Sequence, residues 1–424
     1  MIKEDEYKER RDTLVSKMSK NSIAVIFSNS YKTRSNDTEY PYRQNSNFYY
    51  MTGFKEDNAT LVLIKKNKNY KSILFVNKKD KVDELWNGKR LGAKEAKKRF
   101  LVDQVYTDDK FEEKYKEYIS AKKSLYFDFD LTFSKADLLK KHSRNISNYK
   151  NIAPIIQKMR LVKSDSEIKL IKKAINITKD AHLRAMKFKK QDRFEYELLA
   201  EIEHSFKSQG AYSDAYTSII AGGNNANTLH YIENNKPFKN NDLILIDAGC
   251  EYEHYASDIT RTIPVSGKFT EEQKEVYNLV LDTQLKVLEA IKPGVKRTKL
   301  QKIAVKCLTE SLVELGILKG DIKKLIKKEK YKPYYPHGIG HWMGIDVHDQ
   351  CPYKDENGKE IVLAKGMVLT IEPGLYLDID DKKVPQKYRG IGIRIEDDIL
   401  LTDDGYENLS ADIIKTVEDI ESIN

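Results

Sequence analysis

Cysteine is scarce and unpatterned in this chain. There are three, Cys250, Cys307 and Cys351, in 424 residues. They are too few and too far apart for a disulfide framework, and no CxxC spacing offers a thiolate metal site. Long apolar runs are also missing. No stretch approaches the roughly 20 residues a bilayer-spanning helix needs, so a membrane is not an expected partner. Twenty Gly and ten Pro are too few for a collagen-like or linker-dominated chain. Arginine is sparse as well: 14 of 74 basic residues, set against 65 acidic ones for a net charge of +9. The lysines are dispersed among acids, as at Lys65, Lys66, Lys68, Lys71, Lys78, Lys79 and Lys81. That pattern reads as a solvated surface. A nucleic-acid face concentrates its cations in a stripe with interleaved aromatics, so no nucleic-acid partner is expected. The opening segment, MIKEDEYKERRDTLVSKMSK, is charged throughout and lacks an apolar signal core. With so little cysteine, a reducing cytoplasm is the expected location.

What is present is a 40% hydrophobic fraction, enough for real cores, in a chain long enough for two domains. Residues 4–18 carry a helical stripe of Tyr7, Arg11, Leu14, Val15 and Met18. Short apolar runs at 23–27, 61–64, 73–76 and 125–129 read as strands, with helices around 93–99 and 109–121 between them. This alternation predicts an α/β domain with a partly parallel sheet over residues 1–158. A capping box at Ser164-Asp165-Ser166-Glu167 opens a strong helix, and a second capping pattern runs from Asp192 to Glu195. Strands are predicted at 216–221, 242–247, 255–265, 367–372, 391–396 and 399–401, and helices at 271–291 and 297–315. Segregated helices and strands predict an α+β domain over 159–424, a curved antiparallel sheet covered by helices. Its two helix-pair-plus-strand blocks, 164–265 and 271–401, hint at an ancient duplication.

Four clusters carry chemistry. Asp247 closes an apolar strand, where an unpaired carboxylate is expensive to bury. Asp258 lies on the returning strand, and a hairpin turn near 249–253 would set the two side by side. One buried and one exposed Asp is the competing reading of the pair alone. His337-Gly-Ile-Gly-His341 continues through Trp342 and Asp346 to His348, so with His230 these hold four of the eight histidines. Glu372 ends a third apolar strand. In the fourth cluster, Gly392, Arg394 and Glu396 share one face of a strand. Four carboxylates and one imidazole—Asp247, Asp258, Glu372, Glu396 and His341—cannot share a buried site without cations. Two divalent ions balance the four charges, and oxygen-rich ligation with one nitrogen suits Mn2+, Fe2+, Co2+ or Zn2+. Bridging carboxylates would hold such ions about 3.5–4 Å apart.

These residues resemble the pita-bread metallopeptidases, and among them the aminopeptidase P (Xaa-Pro aminopeptidase) family. The resemblance covers nearly the whole chain. It rests on TRSNDTEYPYRQNSNFYYMTGF (33–54) and ELWNGKRLG (84–92) in the first half. In the second it rests on LHY (229–231), LILIDAGCEYEHYASDITRTIPVSGKFT (243–270), HGIGHWMGIDVHD (337–349), MVLTIEPGLYL (367–377) and YRGIGIRIEDDILLT (388–402). It implies a pita-bread catalytic domain and hydrolysis of the bond between an N-terminal residue and a penultimate proline, through a metal-bridging hydroxide.

By the same resemblance, Asp247, Asp258, His341, Glu372 and Glu396 are the metal ligands, with Asp258 and Glu396 bridging. Manganese is the expected ion. Glu372 doubles as general base, while His230 and His348 act at the substrate carbonyl. His337, Tyr376 and Arg394 surround the proline ring, Asp37 lies near the cleft, and Trp86 reaches a neighbouring subunit's site. A homodimer or homotetramer is implied. Two roles stay open for Arg394, a proline-pocket wall and a counter-ion to the carboxylates. Two also stay open for Trp86, a core residue and an intersubunit one. A prolidase restricted to Xaa-Pro dipeptides uses the same ligands, and a non-catalytic peptide-binding homologue is the reading from a different class.

Overall fold

The computed structural model describes residues 2–143, 146 and 148–423, divided into two units, Met1–Arg160 and Leu161–Asn424. In the first, the apolar runs become strands of a six-stranded sheet. Ser22–Phe27 pairs antiparallel with Thr60–Lys65 and parallel with Ser124–Phe127. Tyr70–Val76 and Gln104–Thr107 extend one side, and Asn148–Asn151 the other. Every residue of Ser22–Phe27 is buried. A strand covered on both faces therefore reads as a continuous apolar run rather than an alternating one.

The first helix, Glu4–Lys17, buries Tyr7, Arg11, Leu14 and Val15, and Met18 just beyond it is buried too. Arg11 tolerates burial because its guanidinium donates to the Met51 and Leu101 carbonyls at 2.9 and 2.6 Å.

Two candidate residues of this unit lie on its surface. Asp37 is exposed at the tip of the hairpin formed by Thr33–Ser35 and Thr38–Glu39. Trp86 belongs to the helix Lys81–Asn87, which buries none of its residues. Trp86 is 80% exposed, so the core reading of this tryptophan does not hold.

The second unit pairs its strands antiparallel throughout. Ile219–Gly222, Leu243–Asp247 and Thr260–Pro264 form one three-stranded sheet, and Val368–Ile371, Asp397–Leu401 and Tyr406–Asn408 another. Gly374–Leu377 pairs with Ile391–Arg394. The helices Asp165–Lys187, Glu195–Ser208, Glu271–Glu289 and Arg297–Glu314 pack their apolar faces into one core with these strands. The Ser164–Glu167 capping box forms on both sides.

The second cap differs from the expectation. Asp192 sits at φ +60 in a turn, and the helix starts at Glu195 with Phe194 as its N-cap. Glu197 accepts from the Phe194 N–H, which leaves Glu195 for another task. Two predicted strands are also broken where the chemistry lies. The 255–265 segment divides into Tyr255–Ala256 and Thr260–Pro264, and 391–396 ends at Arg394. Among the described residues, no helix is long and apolar enough to cross a membrane.

Candidate metal centre

Asp247 is delivered to the end of its sheet by four buried apolar residues, Leu243 to Ile246. Asp258 sits in the break between two strands. The hairpin that brings it back turns at Glu253 and His254, with φ +50 and +69, as a type I′ turn requires. A Cβ on Gly249 would stand 1.9 Å from the Ser257 carbonyl oxygen, so only glycine lets the two segments close. The His341 loop docks in a similar way. A Cβ on Gly340 would lie 1.9 Å from the Thr370 carbonyl, and Thr370 N–H donates to the His341 carbonyl at 3.0 Å. That pairing sets His341 beside Glu372, which follows the strand Val368–Ile371. Glu396 lies between two strands, its N–H donating to the Thr260 carbonyl at 3.1 Å.

The donor atoms converge in three overlapping groups, each spanning at most 4.8 Å: Asp247, Asp258 and Glu396; His341, Glu372 and Glu396; Asp258, His341 and His348. His341 Nε2 stands 3.2 Å from Asp258 Oδ2 and 3.7 Å from Glu372 Oε1. Its Nδ1 is 3.1 Å from the Trp342 carbonyl oxygen, which turns Nε2 toward the carboxylates.

Burial pushes the Glu372 carboxyl up to about 7, with His341 and Arg394 opposing. Glu396 is driven well above its ordinary range by burial and then by Asp258, Glu372 and Asp247. Asp247 is raised by burial despite Arg394. Burial alone would lower His341, yet its bond to Asp258 carries it up to about 9. Groups perturbed in this way call for positive charge. The donor set, four carboxylates and one imidazole with no thiolate, fits hard or borderline divalent cations.

A second set of groups orients the first. Tyr216 OH and Arg394 Nη2 each donate to Asp247 at 2.6 Å. Thr260 Oγ1 donates to Glu396 at 2.7 Å, and Arg394 Nε donates to Thr260 Oγ1 at 3.2 Å. Arg394 Nη1 reaches Tyr376 OH at 2.9 Å, and that hydroxyl lies 2.8 Å from His337 Nε2. Burial, and then Arg394, lower His337 to about 4, so its imidazole is neutral and accepts from Tyr376. Arg394 thus contacts a carboxylate of the cluster through Asp247 and the His337 side of the cleft through Tyr376.

His348 is exposed, its ring 4.0 Å from that of His341, and His230 is exposed on the cleft wall. The cleft encloses about 830 Å³ and is lined by every second-unit candidate except Tyr376, together with Tyr216, Asp346 and Arg297.

Several supports escaped the sequence reading. Glu195, fully buried, accepts from Gly222 N–H, Asn225 Nδ2, Tyr231 OH and Lys236 N–H at 2.7–2.9 Å, pinning the segment that carries His230. Nothing local marks a glutamate in the first turn of a helix as such a hub. Thr260 had a signal in the sequence, since the strand predicted over 255–265 would set it on the face of Asp258 at a spacing of two, although Asp258 itself falls in the break between strands.

Behind the site, Arg261 and Lys415 hold Asp397 at about 2, although burial opposes them. The carboxylate is therefore ionised more readily folded than unfolded. Its contribution, about 2 kcal/mol, is fully present above the unfolded pKa of about 3.9 and is lost as pH falls toward 2. Urea denaturation between about pH 5 and 2.5 should show this decline, and Asp397→Asn should flatten it.

Residues 169–403 match metallopeptidase family M24, and residues 7–126 match the aminopeptidase P N-terminal domain. The chain is 41% identical to the Xaa-Pro aminopeptidase of Haemophilus influenzae, covering 100% of this chain and 97% of that one. It is 36% identical to human Xaa-Pro aminopeptidase 3, covering 99% and 85%. The structure of zinc-substituted Escherichia coli aminopeptidase P in complex with product superposes with a TM-score of 0.96 at 40% identity, covering 100% and 98%. Proline aminopeptidase P II from Yersinia pestis gives 0.96 at 41%, covering 100% and 99%.

Proposed function

This chain belongs to metallopeptidase family M24, and from that membership we propose that it is a metal-dependent Xaa-Pro aminopeptidase of pita-bread fold. It hydrolyses the bond between an N-terminal residue and a following proline. The observation that carries this reading is the convergence of Asp247, Asp258, His341, Glu372 and Glu396 beside the wall formed by His337 and Arg394, which the buried Tyr376 hydroxyl ties together. The bond before proline is a tertiary amide without N–H, so a peptidase that docks its substrate as a β-strand loses a hydrogen bond there. A site that grips the free amine and the carbonyl avoids that loss.

Those five residues would hold two divalent cations, their donor atoms falling in overlapping groups joined through Asp258, His341 and Glu396. The ions supply Lewis-acid polarisation of the carbonyl and acidification of water. Manganese suits the oxygen-rich donors, and zinc, cobalt and iron(II) are the competitors.

Glu372 takes the proton released by the attacking water and returns it to the proline nitrogen, which must leave as a neutral amine. His348 donates to the developing oxyanion and His230 positions the carbonyl. His337, Tyr376 and Arg394 bound the proline ring. Asp37 and Trp86 are further candidate substrate-binding residues, Trp86 toward the site of a neighbouring subunit. Val82, Leu85 and Trp86, 68–80% exposed on one short helix, support association with further copies as a homodimer or homotetramer. The free cysteines support a cytoplasmic location.

Metal-stripped enzyme should lose cleavage of Xaa-Pro-Yaa peptides and regain it most strongly with Mn2+, tested against Zn2+, Co2+ and Fe2+. Activity undiminished by exhaustive chelation would overturn the reading. Turnover confined to Xaa-Pro dipeptides would replace it with a prolidase.

A further inference from the structure

Arg297 opens the helix Arg297–Glu314 and lines the cleft. Its place runs against helix electrostatics. A cation in the first turn meets the positive end of the dipole; the turn itself holds no acid, and Glu360, which caps it from elsewhere in the chain, is taken up by the Thr298 N–H and hydroxyl at 2.8 and 2.6 Å. Its contacts leave most of its donors open. Nη1 donates to the Gly340 carbonyl at 3.0 Å, and the guanidinium carbon sits 4.5 Å from the centre of the Tyr353 ring. Among the described residues it forms no ion pair. The other cleft guanidinium, that of Arg394, is occupied by Asp247, Thr260 and Tyr376. The site therefore holds one arginine engaged through all three nitrogens and one engaged through a single nitrogen, whose remaining N–H groups form a planar fork suited to a carboxylate.

Location narrows the use. Arg297 lies against the His337–His341 loop, with Nη1 3.5 Å from where a Cβ on Gly338 would stand. His337 walls the proline side of the cleft. On the reading in which His337 bounds the proline ring, a cation at that rim would face the residue after proline rather than the N-terminal residue.

Resting on the peptidase reading above, we propose that Arg297 is a specificity-determining residue that receives a carboxylate borne by the residue after proline. The carboxylate has two sources, the free C-terminus of a tripeptide or an acidic side chain in third position. Each satisfies the open donors by the same chemistry.

The test is steady-state kinetics of wild type, Arg297→Gln and Arg297→Lys with Mn2+ on four peptides: Ala-Pro-Ala, its C-terminal amide, Ala-Pro-Asp-amide and Ala-Pro-Asn-amide. Arg297→Gln should raise KM about tenfold on a carboxylate substrate, as loss of a charge-assisted bond does, with kcat unchanged. KM on the two neutral amides should hold, and Arg297→Lys should recover part of the loss. A rise confined to Ala-Pro-Ala identifies the terminal carboxylate, and one confined to Ala-Pro-Asp-amide the side chain. Equal losses on all four peptides overturn the proposal, because Arg297 then acts only by holding the Gly340 carbonyl. Unchanged KM throughout also overturns it. Failure of the wild-type enzyme to cut any of the four overturns the peptidase reading itself, and this proposal with it.

Discussion

Asp258→Asn is expected to reduce kcat on Xaa-Pro-Yaa peptides by at least about a thousandfold, the scale on which catalytic electrostatics operate, while leaving the fold in place. The carboxylate belongs to two of the three donor groups and stands 3.2 Å from His341 Nε2. Asparagine keeps the shape and one oxygen but removes the charge that metal ions require. The backbone around it is held independently, since Asp258 N–H donates to Asp398 Oδ2 at 3.1 Å and the Ser257 N–H to the Cys250 carbonyl. The variant should therefore unfold near the wild-type urea midpoint measured on metal-free protein. Elemental analysis should show less bound metal than wild type. Full turnover with full metal content would reject the assignment of Asp258 as a ligand.

Arg261→Leu is expected to carry the largest cost in stability. The side chain is fully buried. Its guanidinium pairs with Asp397 at 2.8 Å and donates to the carbonyls of Thr260, Glu396, Ile413 and Ile414 at 2.6–3.0 Å. Leucine leaves Asp397 buried with Lys415 as its remaining cation and four carbonyls without this donor. Removing one partner of a buried ion pair costs about 3–5 kcal/mol, readable as a fall in the urea midpoint. Two of the carbonyls that lose this donor belong to Thr260, which orients a candidate ligand and keeps the Glu396 N–H, and to Glu396, which is a candidate ligand. Metal affinity should therefore weaken along with stability. Arg261→Lys, which keeps charge but loses the fork, should recover only part of either. An unchanged midpoint in Arg261→Leu would show that the arginine only fills space.

Arg261 and Asp397 also mark where sequence reasoning stopped. The stretch 388–402 is plainly a strand-forming segment with charges inside it, and Glu396, Asp397 and Asp398 are adjacent acids with nothing local to separate them. The structure gives them three duties. Glu396 faces the cluster, Asp397 is paired with Arg261 and Lys415, and Asp398 accepts from the Asp258 backbone. The division arises because the strand ends at Arg394 and resumes at Asp397, which breaks the alternation that would otherwise assign faces.

Glu195 is a similar case. Its four hydrogen bonds come from a segment 27–41 residues distant, and no periodicity reports a partner that far along the chain.

By itself the sequence determined the buried strands, the long capped helices and the apolar strands that end in acids. Those features follow from burial and from local hydrogen bonding, which act on neighbouring residues. Only the tertiary structure decided which acids meet, which of two arginines keeps open donors and which glutamate serves as an anchor. Each of those outcomes depends on groups brought together by folding across tens of residues or more, and a linear pattern does not encode that distance.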